Sequence, residues 1–153
     1  ATHPARLYAG DCDALGEVVA ELSDVALPVG DPVGQATAIQ VEQSFSTAAV
    51  SLDAAIDGGN AVAVFAAAPD ASSPVACGEI GGVNDHDGAI VIGLHEMNGS
   101  GLSGIAYLAY NALDPATTTD VSIFLVQGLV PATTQPTSTP TTAPTLSPTV
   151  APA

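Results

Sequence analysis

Three imidazoles, His3, His86 and His95, are the side chains in this sequence best suited to hold a transition metal, and Glu96 follows the last of them. A site made of His3, His95 and Glu96 requires the N-terminal strand to lie beside residues 89–97. Three scattered ligands do not make a metal motif, so separate surface or half-buried histidines are the simpler reading. Asp11-Cys12-Asp13-Ala14-Leu15-Gly16 opens like a calcium loop. It then fails, because Leu15 stands where an oxygen ligand belongs and Leu22 where a bidentate glutamate should close the loop. Asp85-His86-Asp87-Gly88 gathers carboxylates in what reads as a turn, and Asp and Gly build turns on their own. Nucleophilic catalysis lacks its signatures: there is no G-x-S-x-G elbow, and Ser103 sits in G-L-S-G at a strand start. No glycine-rich loop precedes a helix, so no nucleotide cradle is visible. With no tryptophan, three tyrosines and three phenylalanines, the chain is poorly equipped to stack sugars against a carboxylate pair. The expectation is a protein that is not an enzyme and carries neither a cofactor nor a metal.

The chemistry with a repeating signature is that of hydroxyls. Pro136, Pro140, Pro144, Pro148 and Pro152 fall at strict four-residue spacing, and the first four are each followed by threonine. The unit is P-T-x-x, and no charged residue occurs after Asp120. Such a segment cannot offset the entropy of ordering with apolar burial. Proline fixes φ near the polyproline value, so its default is a semi-rigid extended rod. A four-residue step along polyproline II advances about 12 Å and turns about a third of a revolution, so the threonines spiral around the rod. Ser/Thr-rich, Pro-rich tracts read as O-glycosylated stalks. The candidate acceptors are Thr133, Thr134, Thr137, Ser138, Thr139, Thr141, Thr142, Thr145, Ser147 and Thr149. In this reading the rod is held by its sugars or by neighbouring subunits; a flexible linker is the bland alternative. Asn98-Gly99-Ser100 is an N-glycosylation sequon in an expected loop, though sequons arise often by chance.

The sixteen acids face a single cation, Arg6, for a net charge of −15. Nothing here can neutralise a phosphate backbone or an anionic bilayer, so nucleic acid is excluded as a partner. No window of about twenty apolar residues is present, so no helix spans a membrane. The chain begins at Ala1 and runs straight into strand-like sequence, as a secreted chain does after loss of its signal peptide, or as an arbitrary boundary does. In an oxidising compartment Cys12 and Cys77 are expected to pair and close a long loop; two buried free thiols are the alternative.

These residues must be positioned by strands. Residues 1–130 read as one all-β domain of about eight strands, an antiparallel β-sandwich of Ig-like or Greek-key type, and 131–153 as an extended tail. Runs rich in Val, Ile and aromatics near 5–9, 17–25, 37–50, 60–67, 75–83, 89–97, 103–110 and 120–127 alternate with Gly, Pro, Asp and Asn. In 89–97, Ile90, Ile92 and Leu94 face one way and Val91, Gly93 and His95 the other. In 120–127, Val121, Ile123, Leu125 and Gln127 oppose Ser122, Phe124 and Val126. Residues 75–83 and 89–97 are expected to form a hairpin around Asp87-Gly88. The one helix is expected over 51–57, capped by Ser51 and stopped by Gly58-Gly59.

The opening His3-Pro4-Ala5-Arg6-Leu7-Tyr8-Ala9-Gly10-Asp11-Cys12 resembles a family of secreted bacterial domains that accompany cupredoxins and open H-P-x-H-I-H-A-G-x-C. Ala76-Cys77-Gly78-Glu79-Ile80-Gly81-Gly82 is similar to their second cysteine motif, and the stretch from Ile92 to Leu108 also looks like them. More distantly, both cysteine motifs resemble the CHRD and copper/zinc superoxide dismutase sandwiches, where a disulfide clips a loop to a strand. The resemblance covers most of residues 3–130 and implies the sandwich and a Cys12–Cys77 bridge. The departures bear on chemistry. Arg6 and Tyr8 replace the family's two histidines, and three histidines in all are too few for a dismutase-like centre.

The expectation is an extracellular structural glycoprotein, the repeating homopolymeric subunit of a cell-surface fibril. The short strand Ala5-Arg6-Leu7-Tyr8-Ala9 either completes a neighbour's sheet by strand addition or packs within its own domain. The alternatives are a stalk-displayed metal-binding or copper-handling module, and an adhesion domain. The latter requires an exposed apolar patch, for example around Tyr107, Tyr110 and Phe124.

Overall fold

In the computed structural model of the chain, residues 2–68, 71–84 and 88–128 are described. His86 and the P-T-x-x tail with its O-glycosylation candidates lie outside the described residues.

Among the described residues eight strands form: β1 (His3–Asp11), β2 (Ala14–Val25), β3 (Glu42–Ala48), β4 (Asn60–Phe65), β5 (Pro74–Glu79), β6 (Ala89–Glu96), β7 (Leu102–Tyr110) and β8 (Thr119–Gln127), with one helix, α1 (Leu52–Asp57). The strand expected over 37–50 starts at Glu42, because Ile39 and Val41 find no neighbouring strand and stay exposed in a loop. All neighbours are antiparallel, in the order β2-β1-β4-β5-β6-β7-β8-β3. The sheet folds into two layers, β2-β1-β4-β5 and β6-β7-β8-β3, and its two ends nearly meet. Around this near-closed surface the first four strands run 4-1-2-3, a Greek key. The connection from β3 to β4 crosses one end and carries α1, whose Leu52 and Ala55 are fully buried. Ser51 Oγ accepts from Ala54 N at 3.2 Å, and buried Asn60 Nδ2 donates to Ala55 O at 2.9 Å, so both ends of this short helix are satisfied.

Strand alternation puts a continuous aliphatic core between the layers. Leu7, Val62, Val64, Ile90, Ile92, Leu94, Ala106, Leu108, Val121, Ile123 and Leu125 all point inward, as the period-two pattern predicted for β6 and β8. The two corners are made differently. At the β5–β6 corner, among the described residues, only Ala76↔Glu96 and Cys77↔His95 pair. The expected hairpin is thus antiparallel but largely unzipped; Ile80 N leaves the ladder to donate to Asn60 O. A Cβ at Gly78 would collide with the Gly93 carbonyl, so a glycine is required where the two backbones come together.

At the opposite corner, β2 and β3 share a single bridge, Ala26↔Gln43. Serines supply the remaining bonds. Ser46 Oγ accepts from Ser23 N and buried Ser44 Oγ donates to Ser23 O, each at 2.7 Å. Hydroxyls thereby satisfy backbone groups of the edge strand that would otherwise be unpaired.

Cys12 and Cys77 form a disulfide with a Cα–Cα distance of 5.9 Å, tying the β1–β2 turn to β5. Cys12, Ala61, Ala63, Phe65 and Cys77 make a second, smaller apolar cluster on the outer side of the first layer, with Tyr8, Leu15 and Met97 packed on it. Cys12 N donates to Glu79 Oε2 at 2.9 Å, reinforcing the clip. The bond spans 65 residues of sequence. Loop-closure entropy for that span predicts that the Cys12→Ser/Cys77→Ser double variant loses about 4 kcal/mol in chemical denaturation, and that dithiothreitol has no further effect on it.

Candidate interaction face

The candidate metal ligands His3, His95 and Glu96 are not brought together. His3 begins β1 and points inward beside the β2–β3 corner. Its Nδ1 donates to Phe65 O at 3.0 Å, and its Nε2 lies 3.3 Å from Glu42 Oε1. His95 lies at the far side of the sheet, opposite Cys77 and exposed. Glu96 Oε2 accepts from Gly101 N at 2.6 Å. Among the described residues, no three His, Cys, Asp or Glu side chains cluster closely enough for a metal. The calcium-like sequence is a tight reversal, with Asp11 Oδ1 accepting from Asp13 N at 3.1 Å and Ala14 N at 2.9 Å. In the sequon, Asn98 has φ 55° and its Nδ2 donates to Pro74 O at 2.9 Å.

The Ala5–Ala9 strand is paired on both sides within the chain. Arg6 and Tyr8 pair with Glu21 and Val18 of β2 on one side and with Ala63 and Ala61 of β4 on the other. Ala5 and Leu7 are buried in the core. Both edges of β1 are therefore bonded within its own sheet, which is the within-domain arrangement. Arg6, the sole arginine, reaches Glu21 with Nε–O distances of 2.9 and 3.1 Å and stacks 5.7 Å from the Phe65 ring centroid. Interaction with the Tyr8 hydroxyl first, and with the Glu21 carboxylate second, raises its pKa above the usual arginine value.

The outer sides of the two layers differ. That of the first layer is covered by the disulfide-tethered turn, Tyr8 and Met97. That of the second layer, among the described residues, is covered by nothing. Register places Val91, Tyr107, Ser122 and Phe45 in one cross-strand row, and Gly93, Ile105, Phe124 and Gln43 in the next. His95, Ser103 and Val126 extend the face. Phe45 is 61 % exposed, Val91 53 %, Ile105 45 % and Tyr107 40 %. Phe45 and Phe124 meet edge-to-face with centroids 5.8 Å apart. None of these outward positions carries Asp, Glu, Lys or Arg. Asp120 lies on the same side at one end of the face, where Thr47 Oγ1 and Asn111 Nδ2 donate to it at 3.1 and 2.8 Å.

Of the three aromatics expected in an exposed patch, Tyr107 and Phe124 lie on this face. Tyr110, out of phase with Tyr107 and paired with buried Thr119, is turned to the other side at the end of β7 and donates to Asp53 Oδ1 at 3.0 Å; this bond to a carboxylate pushes the phenol pKa up. Phe45 was missed because only its pairing with β8 places it on the same surface. The signal for the face lay in β6, β7 and β8, whose near-continuous apolar runs are those of strands with something to bury on both sides.

Comparison of the chain with protein families, with curated proteins and with solved structures finds no match.

The His3–Glu42 pair supplies a prediction about the β2–β3 corner. A carbonyl only accepts, so His3 Nδ1 must carry a proton. The Nε2–Oε1 contact is then attractive only with a proton between the two groups. Glu42 Oε1 is buried and has no aligned hydrogen-bond donor besides this imidazole contact. His3→Ala is expected to cost about 2 kcal/mol by leaving a carboxylate desolvated and unpaired. Glu42→Gln is expected to stay within about 1 kcal/mol of wild type, since its amide can donate to a neutral imidazole. Urea titrations of the two variants check the asymmetry.

Proposed function

We propose that this chain is an extracellular structural glycoprotein, the repeating subunit of a cell-surface filament whose P-T-x-x segment carries O-linked glycans. The observation that supports the assembly is the bare outer face of the β6-β7-β8-β3 layer, which exposes Phe45, Val91, Ile105 and Tyr107 and has no charge in its two central rows, on a domain that is otherwise strongly anionic. A patch of this kind on a soluble domain marks an interaction surface. The disulfide fits an oxidising address, and the near-closed sheet leaves little edge for uncontrolled strand pairing. In this reading copies assemble through the face, and β1 stays within its own domain.

An adhesion module is the second reading, favoured by the same face with Tyr107 and Phe124 on it. The copper-handling reading would need His3 and His95 to share a site, and His3 is instead engaged by Phe65 and Glu42.

Electron microscopy of native material, with mass spectrometry of the 131–153 peptide, tests the proposal. Uniform fibres with a subunit repeat and hexose-containing mass additions on the tail threonines are the expected result. Dispersed particles with an unmodified tail reject it. Dispersed particles that bind a surface ligand favour the adhesion module.

A further inference from the structure

We infer that the depression between β3 and β8 is a binding site for a neutral sugar ring, and that its occupant is a sugar carried on the chain's own P-T-x-x segment; this rests on the glycoprotein reading above. The site is built by register. Phe45 pairs with Ser122 and Thr47 with Asp120, so all four stand on the outer side of the layer. Tyr107 pairs with Ser122 from the other side. With Ser46 and Val121, the four residues of β3 and β8 line a cavity of about 320 Å³. Small-ligand sites run from about 300 to 1,000 Å³. The sequence has only three phenylalanines and three tyrosines, yet pairing brings Phe45, Tyr107 and Phe124 to one side of the sheet.

A pyranose has apolar C–H faces and a rim of hydroxyls, and the depression offers a counterpart to each. Phe45 is largely exposed, and Phe124 steadies its ring edge-to-face at 5.8 Å. Phe45 and Tyr107 stand on the strands either side of Ser122, about 10 Å apart by strand spacing. That gap admits one ring at van der Waals distance, about 3.5–4 Å, from each wall. One step along the strands, about 7 Å, lies Asp120. Its Oδ1 accepts from Thr47 Oγ1 and Asn111 Nδ2, and among the described residues its Oδ2 accepts nothing. Asn111 is itself fixed, with Oδ1 accepting from Leu113 N and Asp114 N, both at 2.9 Å. Its Nδ2 keeps a second N–H, and Ser122 offers a hydroxyl. An oriented acceptor beside spare donors suits vicinal hydroxyls, each of which donates and accepts.

Other occupants fit less of this set. A lysine or arginine side chain only donates, so it would leave the Asn111 N–H facing a cation. An anionic ligand meets a domain of charge −15. A wholly apolar partner would desolvate Asp120 and Asn111 without pairing them. The site is shallow, and a ligand of about twelve non-hydrogen atoms held this way has a Kd of about millimolar. A tether offsets that weakness. Strand β8 ends at Gln127, seven residues beyond Asp120, or about 23 Å. In the extended form that the sequence predicts, the nine residues from Gly128 to Thr137 cover about 28 Å. Sugars on Thr137 and the threonines after it therefore reach back to Asp120, at the roughly millimolar effective concentration of a short tether. A free foreign sugar has no such advantage. The site takes the Asp120 end of the face and leaves the row through Gly93 and Ile105 to contacts between copies.

An NMR titration of the full chain, produced without glycans, is the test, with the methyl glycosides of glucose, galactose and mannose as probes. Resonance shifts confined to residues 45–47, 107, 111 and 119–122, with a Kd of about millimolar for at least one glycoside, are the expected result. Phe45→Ala and Asp120→Asn, both confirmed folded by circular dichroism, each weaken binding about tenfold or more. Val91→Ala, on the same face but three strands away from Phe45, leaves it unchanged. Binding of no glycoside, or binding that survives both variants, overturns the site and leaves the glycoprotein reading standing. So do shifts at these residues with Nα-acetyl-lysinamide in place of the glycosides, which would mark a cation site. Titration of the native chain then tests the supply. A segment bearing hexose is expected to raise the apparent Kd about twofold or more by competition. A hexose-bearing chain with the Kd of the bare chain overturns the tethered occupant and puts a foreign sugar in its place. A native chain without sugars sinks the glycoprotein reading and the tethered occupant with it, while the site stands.

Discussion

The Cys12–Cys77 bond decides which side of this domain is finished. It holds the β1–β2 turn down over β5 and roofs the first layer with Cys12, Tyr8, Leu15 and Met97. Both faces of β4 are consequently buried, and the five residues after Asn60 are a continuous apolar run. The second layer has no equivalent roof among the described residues. Its outward side chains include Phe45, Val91, Ile105 and Tyr107 all the same, and that mismatch between composition and exposure is the strongest functional statement the molecule makes.

Charge sharpens it. With a single arginine already paired, the domain has almost no means of making ion pairs to a partner, and each acid adds to the field of the rest. Any contact with a similar anion must use surface that carries no charge. The two central rows of the layer β6-β7-β8-β3 provide such a surface, and the two corners that shape it are built from small residues. Gly78 lets β5 and β6 close together, and Ser23, Ser44 and Ser46 join β2 to β3 where a backbone ladder is missing. Bulky or charged residues at either corner would open the sheet and remove the face.

Most of the fold was legible because its signals are local. Alternation in β6 and β8 named the inward residues, Ser51 and Gly58 bounded the helix, and the spacing of turn residues counted the strands. The start of β3 was misplaced because Ile39 and Val41 look like strand residues until pairing is known. The fate of β1 was open for the same reason: a strand's two edges are satisfied by partners far away in sequence, here Glu21 and Ala63 for Arg6. The His3–Glu42 contact and the Ser23 bonds join residues from different elements, and no local pattern announces them. The interaction face was half legible, since Tyr107 and Phe124 alternate outward in their own strands, while Phe45 joins them only through the β3–β8 register.

The most direct measurement is hydroxyl-radical footprinting of the native assembly against dispersed chains. The account predicts that Phe45, Ile105, Tyr107 and Phe124 lose reactivity on assembly, while Val29 and Val33 in the exposed loop keep theirs. Unchanged labelling of the face, with protection appearing at Val29 and Val33 instead, would contradict it.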